Sequence, residues 1–157
     1  MKRCGLGIVL ALALGASAAA QDIQLQVELV APLQAKKSFK GDRVLARVIT
    51  PEALKGDIID GVVKDVRPRA ITFTLEMLRH PGQTIPIAAQ ATAVTNSKGQ
   101  PEMDEDGRAL QRNAKAPAGA PLEIACPQPG LRFEQGTKIT LLLAPVSAAQ
   151  VASILNR

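Results

Sequence analysis

Ile23-Gln24-Leu25-Gln26-Val27-Glu28-Leu29 is the stretch on which the fold turns. Apolar and polar residues alternate without a fault over seven positions, the period of a strand with one buried and one solvated face. A helix would scatter the same residues around its axis. The pattern recurs downstream. Val44, Ala46 and Val48 alternate with Arg43 and Arg47, and Ile71, Phe73, Leu75 and Met77 alternate with Thr72, Thr74 and Glu76. Ile85, Ile87, Ala89 and Ala91 form a longer run. Its early Pro86 has no N–H to give a ladder and predicts an edge or a bend. Asp57 to Val66, Leu122 to Cys126 and Lys138 to Ala144 supply three more candidates. About seven short strands between Gly/Pro turns predict an all-β protein, a small barrel or a barrel-like sandwich.

A repeated unit strengthens that reading. Phe39-Lys40-Gly41-Asp42 opens a strand that stops before Pro51, and Leu54-Lys55-Gly56-Asp57 opens the next, which stops before Pro68. Phe133-Glu134-Gln135-Gly136-Thr137 opens a third, closed by Pro145. In each, an apolar residue is expected to anchor the approach, and glycine to take the positive φ of a tight turn. A polar residue then starts the strand, and proline ends it.

Two regions break the pattern. Residues 96–121 are polar, rich in Gly, Pro and Ala, and without an apolar period, which predicts one long loop. The tail 147–157 reads as a short helix, with Ser147 as its cap and Val151, Ile154 and Leu155 on one face. At the other end, MKRCGLGIVLALALGASAAA carries two basic residues, an apolar core from Leu6 to Leu14, and small residues at Ala18 and Ala20. That is the layout of a signal peptide, with cleavage expected after Ala20. Its apolar run falls short of the roughly 20 residues of a membrane-spanning helix. The expected organisation is therefore a leader at 1–20, a β-barrel domain at 21–146 and a C-terminal helix at 147–157. The product is expected in the periplasm or outside the cell, with no transmembrane span after cleavage.

Removing Lys2 and Arg3 leaves 17 basic and 14 acidic residues, so the formal charge falls from +5 to +3. Phe39, Phe73 and Phe133 are the only aromatic residues, too few for base stacking, and no nucleic-acid partner is expected. Lys36, Lys37, Lys40, Arg43 and Arg47 cluster in sequence. They read either as a solvated turn leading into a strand with outward charges or as a polyanion-binding patch. Cys126 is the one cysteine left after cleavage; it closes an apolar alternation and is expected to be packed and inert.

Chemistry-bearing residues are sparse. His80 is the only histidine and precedes a Pro-Gly turn, where an exposed turn residue is the expectation. Asp104 and Asp106 fall on the third and fifth positions of a calcium-loop alignment that starts at Glu102. The twelfth position is Asn113, which has no carboxylate, so the stretch reads as a solvated acidic turn, with weak calcium binding at Asp104 and Asp106 as the alternative, and no metal or cofactor is expected. Glu28, Glu76 and Glu123 sit on polar strand faces, and no Trp or Tyr is present to build a sugar platform. No catalytic set emerges.

From Lys40 to Ala89 the order of features resembles the β-barrel domain of the TrbI-like family, envelope components of type IV secretion and conjugation channels. The resemblance lies in Lys40-Gly41-Asp42 before Val44-Leu45-Ala46-Arg47-Val48, then Gly56-Asp57-Ile58-Ile59-Asp60-Gly61-Val62-Val63. Phe73-Thr74-Leu75-Glu76-Met77-Leu78 and Pro81-Gly82-Gln83-Thr84-Ile85-Pro86-Ile87 continue it. Gln135 to Leu143 is similar to that family's last barrel strand. The resemblance implies a barrel module in the envelope. The expected function is a non-enzymatic module for protein binding or assembly, with sheet edges and the 96–121 loop as its contact surface. The competing readings are a small-ligand carrier or hydrolase using the barrel mouth, and polyanion binding through residues 36–47.

Overall fold

The computed structural model describes residues 22–101, 111–112, 121–125 and 132–156. The strands are β1 (Gln24–Leu29), β2 (Leu33–Gln34), β3 (Arg43–Thr50), β4 (Ile58–Arg67), β5 (Ala70–Phe73) and β6 (Met77–His80). They continue as β7 (Gln83–Pro86), β8 (Ala89–Thr95), β9 (Gln111–Arg112), β10 (Leu122–Ala125), β11 (Arg132–Phe133) and β12 (Lys138–Leu143). A 3₁₀ turn spans Glu52–Leu54, and the helix α1 spans Pro145–Leu155.

Seven strands form one curled, barrel-like antiparallel sheet in the order β8-β12-β1-β3-β4-β6-β7. Its two edges, β7 and β8, follow one another through only Ile87 and Ala88. The chain therefore steps directly from one edge to the other, and the sheet must curl to allow it. The interior is lined by the alternating residues that the sequence singles out, Leu25, Val27 and Leu29 from β1 and Val44, Ala46 and Val48 from β3 among them. β2 and β11 form a separate two-stranded ribbon, with Leu33 opposite the buried Phe133.

β4 is the branch point of the fold. Its first residues pair with β6, Ile58 with Arg79 and Asp60 with Met77. Its last residues pair with β5, which continues to β10 and β9. Between the two partners the chain crosses β4 at Gly61, with Thr74 N–H donating to the Val62 carbonyl at 3.0 Å and Glu76 N–H to the Asp60 carbonyl at 2.8 Å. The single strand expected over Ile71 to Met77 is thus two strands. The crossing also reverses the faces: Leu75 stays buried, Met77 turns outward, and Leu78 takes the core position. The run from Ile85 to Ala91 is likewise divided after Pro86, and both pieces are edge strands, where a missing N–H is tolerated.

The repeated turns share one backbone arrangement. Gly41, Gly56 and Gly136 have φ of 96°, 92° and 83°, and the following residue donates its N–H back across the turn to Phe39, Leu54 and Glu134. Each glycine N–H also bonds a neighbouring strand: Gly41 to Val63, Gly56 to Val48 and Gly136 to Leu29. The residues Val63, Val48 and Leu29 return the bond to Asp42, Asp57 and Thr137. The apolar anchor holds for Leu54 and Phe133, both fully buried, but Phe39 is 69% exposed.

The helix also departs from expectation. It begins at Pro145, whose fixed φ suits the first helical position, and Ala144 rather than Ser147 stands at the cap. The Ser147 hydroxyl is buried and accepts the N–H of Ala88 at 2.8 Å, tying the helix to the step between the two edges. Ala148 and Val151 pack into the core, with Ile154 and Leu155 at its margin. Within the expected 96–121 loop, the Asn96 side chain accepts the N–H groups of Lys98 and Gln100 in a tight turn. Thr95 bridges Pro101, and Gln111–Arg112 forms β9.

Candidate functional site

A cavity beside the crossing, lined by Thr74, Leu75, Ile87, Leu122 and Leu141, has a volume of about 20 Å³, on the scale of one water molecule.

The structure divides the five basic residues of 36–47 into two groups. Arg43 and Arg47 point outward from β3, and both are ion-paired: Arg43 with Asp60, and Arg47 with Glu28 of β1 at 3.5 Å. Lys36 and Lys37 lie in the turn after β2, and Lys40 lies in the turn before β3. All three are exposed and have no ion pair among the described residues. The arginines thus belong to a cross-strand lattice, while the lysines are available to solvent.

The outward face of β3, β4, β6 and β7 holds the main side-chain cluster. Asp60, only 14% exposed, receives both Arg43 from β3 and Arg79 from β6. With Met77 and Thr84 they line an open depression of about 540 Å³. A guanidinium carries five donors, so one shared carboxylate leaves several of them directed elsewhere. Two cations on one anion, beside the thioether of Met77, can receive a carboxylate or similar group bidentately. Asp60, Met77, Arg79 and Thr84 were not distinguishable as a cluster in the sequence. Their meeting depends on the β4–β6 pairing and on the face reversal before Met77.

His80 does not sit in the open as its Pro-Gly neighbours suggest. Its Nδ1 lies 2.7 Å from an Asp57 carboxylate oxygen, and both side chains are largely buried. A carboxylate–imidazole pair is the orienting half of a hydrolytic triad. Among the described residues no hydroxyl hydrogen-bonds the ring, and the pair links the start of β4 to the end of β6. The three glutamates of the polar strand faces are each in an ion pair: Glu28 with Arg47, Glu76 with Lys64 at 3.3 Å and Glu123 with Arg67 at 2.5 Å. The described residues contain no group of three or more His, Cys, Asp or Glu that could hold a metal ion. Asp104, Asp106 and Cys126 lie outside the described residues.

A hydrogen bond from Thr74 holds the Glu76 carboxyl below its ordinary value, against a smaller opposing effect of burial, and Lys64 adds to the lowering. A depressed carboxylate contributes stability above its unfolded value near 4.5 and loses it as pH falls through the folded value. Thr74→Val is therefore expected to raise the Glu76 midpoint toward 4.5, read by NMR titration of its side-chain carboxyl carbon. An unchanged midpoint would contradict this origin.

No helix among the described residues is long and apolar enough to cross a membrane. No family model, curated protein or solved structure matches this chain.

Proposed function

We propose that this chain is an exported, non-enzymatic β module of the cell envelope that binds or assembles with a protein partner. The observation that carries the reading is the outward cluster of Arg43, Asp60, Met77, Arg79 and Thr84 around an open depression. Among the described residues, the cavity beside the crossing holds about 20 Å³, far below the several hundred Å³ that enclose a small ligand. On that outer face, arginine and methionine stand beside a central carboxylate. Those two residue types are enriched at protein interfaces. The edge strand β8 adds a second surface of the kind that accepts a partner's strand through backbone bonds. The leader-like residues 1–20 support export to the periplasm or beyond. The similarity to secretion-channel components makes an envelope assembly the first partner class to examine.

The test is site-specific photo-crosslinking in the native envelope from positions 79 and 84. A discrete protein adduct is expected, and Arg79→Glu, which reverses the charge facing the partner, should reduce crosslinking from position 84 at least tenfold. A folded protein that gives no adduct from either position would remove this face from the reading.

A further inference from the structure

We infer that the Lys36–Asp42 turn is a docking point for an anionic lipid surface, with Phe39 as the inserted residue. Phe39 is 69% exposed, although the turn that carries it has the backbone of two others whose apolar residues are fully buried. Leu54, at the same place before its glycine, is 0% exposed. Phe39 is also held in place. Its N–H donates to the Asp42 carboxylate at 2.8 Å, its carbonyl accepts the Asp42 N–H at 3.1 Å, and Gly41 and Asp42 exchange bonds with Val63. An ordered turn therefore presents a large apolar ring to water, without the burial that would stabilise it. Such a break between local pattern and tertiary placement is where function is expected.

Charge selects the occupant. Lys36 and Lys37 precede the ring and Lys40 follows it, all three exposed and without an ion pair among the described residues. The carboxylate in the segment, Asp42, is engaged by the backbone of Phe39. The nearby arginines are each ion-paired, Arg43 with Asp60 and Arg47 with Glu28. Lysine is a compact charge on a flexible stem, suited to mobile phosphate groups, whereas a fixed acidic partner favours the arginine fork. An apolar ring on a turn needs a complementary pocket in a protein partner but none in a fluid bilayer interface. One ring with three lysines matches weak, reversible attachment, in which a Lys near an anionic membrane strengthens partitioning about fivefold.

The protein contains no tryptophan, so Phe39→Trp introduces one fluorophore at the docking residue. The full chain carrying it is titrated with vesicles of phosphatidylcholine alone, and of phosphatidylglycerol and phosphatidylcholine in equal parts. A blue shift and quenching by brominated acyl chains are expected with the anionic vesicles, weakening as salt rises. With Lys36, Lys37 and Lys40 changed to Gln, the anionic preference should fall by about a hundredfold, given about fivefold per lysine. An emission spectrum unmoved by anionic vesicles would overturn the inference, as would equal shifts with both vesicle types. A shift induced by soluble polyglutamate but not by vesicles would identify an acidic polymer as the occupant and also overturn it. This measurement stands apart from crosslinking at positions 79 and 84, so either result leaves the other interpretable.

Discussion

Gly61→Ala is expected to be the most damaging single-methyl change in the described fold, costing about 3–5 kcal/mol and leaving much of the protein unfolded. A Cβ at residue 61 would lie 1.6 Å from the Thr74 carbonyl oxygen and 2.6 Å from its carbon. Both atoms are backbone, so no side-chain rotation can make room. Thr74 is fixed in turn by its N–H bond to Val62, and Glu76 by its bond to Asp60. Relief requires parting the β5–β6 crossing from β4, which breaks these bonds and opens the branch of the sheet. Gly82→Ala is the control. Gly82 has φ of 79° with nothing within 4 Å of an added Cβ, so only the left-handed backbone resists, at about 1–2 kcal/mol. Urea denaturation of both variants checks the order. Equal midpoints for Gly61→Ala and the parent would show that the close approach does not exist.

Phe73→Ala should cost a similar amount, about 3–5 kcal/mol, whereas Phe39→Ala should stay within about 0.5 kcal/mol of the parent. Phe73 is fully buried on β5, opposite Val63 of β4 on one side and Leu122 of β10 on the other. Its removal withdraws apolar area from the core and leaves a cavity between three strands, which an antiparallel ladder cannot collapse to fill. Phe39 makes no such packing. Thermal or urea unfolding of the two variants measures the contrast. A Phe39→Ala loss above about 1.5 kcal/mol would mean that the ring is buried in solution, and the docking inference would lose its ground.

The lattice of outward ion pairs is expected to add little to these figures, because exposed pairs are screened and order long side chains. Its value lies in placement. The row Lys138–Glu28–Arg47–Ile58–Arg79–Thr84 crosses six strands in register. That register brings Arg79 and Thr84 to the depression around Asp60 although neither carries a motif.

Much of the fold was legible because β structure announces itself locally. The alternation over Ile23–Leu29 requires one buried face whatever the strand pairs with, and the glycines of the repeated turns require positive φ wherever the turns sit. The prolines at 51, 68 and 145 end strands by lacking an N–H. These properties belong to a few consecutive residues, so the sequence alone determines an all-β scaffold, the strand starts that follow the repeated turns and the polarity of the alternating faces.

Pairing decided the rest. No local pattern marks where a strand exchanges one partner for another, so the division at Thr74-Leu75-Glu76, the outward turn of Met77 and the crowding over Gly61 follow only from β4 serving β5 and β6 together. Asp57 and His80 are joined by the same pairing across 23 positions, and Arg43, Asp60 and Arg79 meet by it across three strands. Phe39 and Leu54 occupy equivalent turns in nearly equivalent sequences, yet one ring is in water and the other side chain in the core. That difference depends on what the assembled sheet places beside each turn, a quantity absent from any short stretch of chain.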